Sequence, residues 1–125
     1  MICKTITVDG KEVKFRASAT IPRLYRFKFG RDILLDTQCL AEAYQAKMNQ
    51  GKNIDADNLF IFENVAYIMA KHGDPDNVPD SPEAWLDGFN VFSIYDVFPH
   101  LIELWGLNTE TQAESKKKLQ EVAGG

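Results

Sequence analysis

Residues 4–17 read KTITVDGKEVKFRA. Ile6, Val8, Val13 and Phe15 alternate with polar neighbours, which is the two-residue period of a strand with one buried face. Asp9-Gly10 lies between the two halves, and this dipeptide accepts the positive φ angles of a tight hairpin turn. The segment therefore reads as a β-hairpin whose cations occupy the solvent face. A hairpin alone is marginal in water, so its apolar side must rest on helices or on the sheet of another chain.

Everything after Thr20 reads helical. Thr20-Ile21-Pro22 sets proline in a first turn, and Gly30 supplies a left-handed stop. A second helix spans 32–50, with Ile33, Leu34, Leu40, Ala41, Tyr44 and Met48 on one stripe and Gly51 after it. The third begins at Asp55 and ends at Gly73. Its apolar residues surround most of its circumference (Leu59, Phe62, Val65, Ala66 and Met69, with Phe60, Ile61, Tyr67 and Ile68), so it belongs at the centre. Ser81-Pro82-Glu83 combines an N-cap, a first-turn proline and an early acid, opening a short helix through Phe89. A last helical stretch covers 93–105, and Pro99 inside it calls for a kink or a start near Asp96. The expected fold class is α+β, an N-terminal β-hairpin packed on a bundle of four to five α-helices.

The chain has 125 residues, 45% of them hydrophobic and 26% charged, which fits one globular domain over 1–107 followed by a polar, flexible tail over 108–125. Cys3 and Cys39 are too few for a disulfide framework and suit a reducing compartment. No apolar run has the length of a secretory leader's core or of a membrane span, so neither secretion nor membrane insertion is expected.

Nothing in the chain assembles catalytic chemistry. Gly-x-Ser-x-Gly, Cys-x-x-Cys, His-Glu-x-x-His and phosphate-binding glycine motifs are absent. His72 falls in the last turn of a helix, where the dipole favours a cationic ring, and His100 follows Pro99 in an amphipathic stretch; both read as structural. Asp74, Asp76, Asn77 and Asp80 crowd one loop, yet Val78 and Pro79 stand where an EF-hand-type calcium site needs an oxygen ligand and a glycine. Neither a metal nor a cofactor is expected, and the chain does not read as an enzyme.

Charge is distributed unevenly. Residues 1–31 hold eight cations and two carboxylates, a balance of +6, whereas residues 32–110 hold three lysines and fourteen carboxylates, a balance of −11. Tyr25, Phe27 and Phe29 among the cations are ingredients of single-strand binding, but so acidic a body repels a polyanion, and nucleic acid is not expected as a partner. The polarity suits a head-to-tail contact between copies. In such a contact Arg23, Arg26, Lys28 and Arg31 meet Asp55, Asp57, Asp80 and Asp87 of the next copy, with exposed hairpin edges adding backbone pairing. Further along, Phe92, Tyr95, Phe98, Leu101, Ile102 and Trp105 form one stripe. Core packing accounts for most of it, and an uncovered part, around Phe92, Tyr95, Phe98, Ile102 and Trp105, is an apolar groove for a partner's amphipathic helix.

The hairpin ITVDGKEVKF, the segment IPRLYRFKFGRDIL, the helical FENVAYIMAKHGDPD and the stretch EAWLDGFNVFSIYDVFPHLIELW, followed by a polar tail with Lys116, Lys117 and Lys118, resemble the tail assembly chaperones of long-tailed phages and prophages of Gram-positive bacteria. The resemblance covers residues 4–110. It implies a non-catalytic protein of the bacterial host cytoplasm that coats the long helical tape measure protein, helps recruit tail tube protein, oligomerises, and is absent from the mature virion. It also implies a longer form made by ribosomal frameshifting near the lysine run. No motif of the family assigns binding residues, so the groove and the charged sets rest on patterning alone. The alternative is a permanent virion component such as a head–tail connector or tail completion protein.

Overall fold

The computed structural model describes residues 2–105. The polar tail and the lysine run at 116–118 lie outside the described residues. Strands β1 (Ile2–Val8) and β2 (Lys11–Ala17) form a two-stranded antiparallel sheet in which Val8 faces Lys11 and Ile6 faces Val13. Asp9 and Gly10 have φ of 52° and 76°, the two positive angles that a two-residue primed turn requires. Ile6, Val8, Val13, Phe15 and Ala17 are all buried on the inner face.

The cations of the hairpin are not confined to its solvent side, as the alternation suggested. Lys4 and Lys11 share the parity of the buried residues and sit at the margins of the inner face. Lys4 Nζ reaches Glu103 at 2.7 Å, while Lys11 donates to the Gly88 carbonyl and stands 5.4 Å from the Phe89 ring centroid. Long stems let both side chains cover apolar surface while their ammonium groups find partners at the edge. The Asp9 carboxylate accepts from Asn90 N–H at 2.8 Å, so the hairpin tip is tied to the loop that follows the fourth helix.

Among the described residues five helices follow: α1 (Ile21–Phe29), α2 (Ile33–Gln50), α3 (Ala56–Gly73), α4 (Pro82–Leu86) and α5 over 94–105. Their ends follow local chemistry. Asp32, Asp55 and Ser81 accept from Leu34, Asn58 and Ala84 amides as N-caps, and Gly30 and Gly51 end α1 and α2 in the left-handed conformation. α3 is central, with Phe62 and every residue from 64 to 70 buried. Its C-terminal end approaches β2 so closely that a Cβ on Gly73 would stand 2.3 Å from the Lys14 carbonyl oxygen.

Two details depart from the sequence reading, and in a third, α5, the helix keeps close to the expected 93–105 rather than starting near Asp96. Leu34 and Met48, expected on the buried stripe of α2, are 51% and 53% exposed, because the neighbours of α2 cover the side that carries Ile33, Asp36, Thr37, Leu40, Ala41 and Tyr44. α4 stops at Leu86 rather than Phe89, and its end turns so that Phe89 packs on Trp85 at 5.4 Å. α5 begins at 94 and carries Pro99 in its interior, where both Pro99 and the residue four before it, Tyr95, are exposed.

Candidate functional site

The aromatic stripe of α5 does not form an open groove. Phe98 is buried at 2% exposure and Trp105 at 8%, and Phe92 is half-buried, stacked on Phe62 at 5.4 Å. Tyr44 of α2 closes over Phe98 at 5.1 Å. Of the five residues expected to receive a partner, only Tyr95 and Ile102 remain at the surface. The stripe is core because α2 and α3 each present an aromatic ring to it.

The charged residues are not segregated into opposed faces either. Lys28 donates to the Asp80 carbonyl oxygen at 2.7 Å, so a member of the basic set lies beside a member of the acidic set within one chain. Arg31 and Asp57 line the same small cavity. Arg31 is committed to Asp36, with Nε and Nη2 donating to the two carboxylate oxygens at 2.7 and 2.8 Å, and Tyr25 OH adds a third bond at 2.7 Å. Arg31 and then Tyr25 hold the Asp36 carboxyl below its ordinary range although burial opposes them. Asp55 is the cap of α3. Arg23, Arg26 and Asp87 are exposed and make no ion pair among the described residues. Part of the charge of the first 31 residues is thus met within the chain, where Lys28 lies beside Asp80 and Arg31 beside Asp36.

A different surface is built for contact. A groove of about 480 Å³ runs between α1 and the C-terminal half of α3. Its apolar lining includes Leu24, Phe27, Tyr67 and Ile68, and Arg16, Lys28, Lys71, His72 and Asp80 supply polar groups. Phe27 is 93% exposed, the most exposed large apolar residue described. It lies two positions after buried Tyr25, roughly 200° round the helix, so it points away from the core that Tyr25 enters. Lys28 stands 5.6 Å from the Tyr67 ring centroid, placing a cation on the aromatic wall. In the sequence Phe27 reads as one of the aromatics interleaved with cations, and the helical period around Tyr25 is the signal that turns it outward.

One rim is organised by a buried-stem lysine. Lys71 Nζ donates to the Pro75 and Val78 carbonyls at 2.9 and 2.6 Å and meets Asp80 Oδ1 at 3.1 Å. The acidic loop thus folds round an ammonium group, and Asn77 Nδ2 donates to both Asp74 oxygens at 3.0 and 3.2 Å. At the other rim, Ser18 Oγ lies 3.0 Å from His72 Nε2 and accepts from Thr20 N–H. Burial, and then the Arg16 guanidinium, push the His72 ring below its ordinary value. The cationic ring expected from the helix dipole is therefore disfavoured, because desolvation and a neighbouring cation outweigh it.

Among the described residues, no group of three His, Cys, Asp or Glu side chains could hold a metal ion, and no helix is long and apolar enough to cross a membrane. Comparison with family models, curated proteins and solved structures finds no match.

Proposed function

We propose that this chain is a tail assembly chaperone of a long-tailed phage or prophage, binding the tape measure protein reversibly and without catalysis while tail tube protein is recruited. The observation that carries this reading is the groove between α1 and α3, where a fully presented phenyl ring is flanked by cations. A long amphipathic helix offers the matching features, with apolar side chains at three- and four-residue spacing and carboxylates beside them. The groove is open rather than enclosed, which suits a helix better than a small substrate.

Co-expression with the tape measure protein tests this. Wild-type chain should keep that partner soluble and co-purify with it, and Phe27→Asp should lower the recovered complex at least about tenfold, the equivalent of about 1.4 kcal/mol. Because Phe27 is exposed, its replacement should leave the melting temperature nearly unchanged. Finding the chain at fixed stoichiometry in purified virions would instead identify a connector or tail completion subunit.

A further inference from the structure

The outer edge of β1 is an unpaired strand edge. Val8 and Lys11 close a two-residue turn, so they exchange hydrogen bonds, and by alternation Ile6 with Val13 and Lys4 with Phe15 do the same. The amide and carbonyl groups of Cys3, Thr5 and Thr7 therefore point away from β2. The equivalent edge of β2 is covered, since Gly73 sits against Lys14 O and Arg16 N. On β1, Cys3, Thr5 and Thr7 are exposed, and their outward groups take no partner among the described residues.

Edges of this kind are ordinarily blunted by proline, a bulge or an outward charge. β1 has none of these: its sequence is ICKTITV, and its single charge, Lys4, lies on the inner face and is held by Glu103. We propose that β1 pairs antiparallel with β1 of a second copy about a two-fold axis at Thr5, joining two hairpins into one four-stranded sheet. Residue spacing selects this register. Centring on Thr5 sets Thr5 opposite Thr5 and Cys3 opposite Thr7 of the second copy, so all three outward-facing residues pair and six backbone hydrogen bonds form. Centring on Lys4 would place two ammonium groups directly opposite each other, and centring on Ile6 would bring the turn residue Asp9 into the ladder. In the Thr5 register the outer face gains Thr–Thr and Cys–Thr cross-strand neighbours and no like charges stand opposed. The contact is isologous, so it closes at a dimer. It does not depend on which partner the groove receives.

Light scattering on the full chain, with and without substitutions, tests the pairing. Wild type should be dimeric at tens of micromolar. Thr5→Pro removes an amide that points outward and so leaves the β1–β2 ladder intact; it should weaken dimerisation about tenfold or more. In a background of Cys3→Ser and Cys39→Ser, Thr5→Cys should form a disulfide-linked dimer under mild oxidation, because facing Cα atoms about 5.5 Å apart lie within disulfide reach. Thr7→Cys in that background should not, since two Thr7 residues are then four positions apart in register. A wild type that stays monomeric, a dimer indifferent to Thr5→Pro, or crosslinking at position 7 as fast as at position 5 would overturn the proposal. If Thr5→Pro fails to fold, the pair of cysteine variants decides the matter.

Discussion

At the scale of single residues, His72 shows how position on a helix can mislead. Its place in the last turn of α3 favours a proton, but burial and Arg16 remove that advantage, so the folded ring binds a proton less readily than the unfolded one. The sign of the linkage follows. The unfolded chain takes up the proton as pH falls below about 6.5, and the folded protein resists it until the lowered value is reached. Stability is therefore fully present above about pH 6.5 and declines on acidification through the folded-state value. Melting temperatures measured from about pH 7.5 to pH 5 should fall, and His72→Gln should flatten that decline. Asp36 contributes a separate loss at much lower pH, because its depressed carboxyl protonates only below the usual carboxylate range.

Between elements, the decisive contact is the meeting of α3 with the edge of β2. Gly73 is needed there for lack of a side chain: the Lys14 carbonyl occupies the space a methyl group would take. Gly73→Ala should cost about 1–3 kcal/mol in urea unfolding, as strand and helix end are forced apart. A variant as stable as wild type would show that this approach can relax without penalty. Several elements were legible before the structure. Asp9-Gly10 specified the turn, Ser81-Pro82-Glu83 the start of α4, and the all-round apolar character of α3 its central position. These are local signals, carried by backbone conformation and helical period. Gly73 was readable only as a helix stop, because its closeness to Lys14 involves residues far apart in the chain.

For the whole molecule, the same distinction explains what the candidate site lost and gained. A stripe such as Phe92 to Trp105 reveals which side of a helix is apolar but not whether Tyr44 and Phe62 lie over it. Summed charge likewise cannot show that Lys28 ends beside Asp80. With part of that charge met within the chain, self-association should not rely on attraction between charged faces, and the edge pairing of β1 contains no intermolecular ion pair. The dimer should therefore persist from about 0.1 M to about 1 M salt, although the screening length falls from about 10 Å to about 3 Å. Sedimentation velocity across that range checks this, and dissociation at high salt would restore a charge-driven contact.

The tether between the hairpin tip and the loop before α5 also bears on synthesis. Asp9 is held by Asn90, and Lys4 by Glu103, so the first element of the chain makes bonds to its last described helix. During translation the hairpin is made before α3, on which β2 packs, and before Asn90 and Glu103, to which Asp9 and Lys4 bond. For most of that interval β1 and β2 are two apolar-faced strands without a complete seat, the kind of intermediate most exposed to aggregation. The hairpin is thus vulnerable from the time it is made, and the bonds that complete its seat come from residues as late as Glu103.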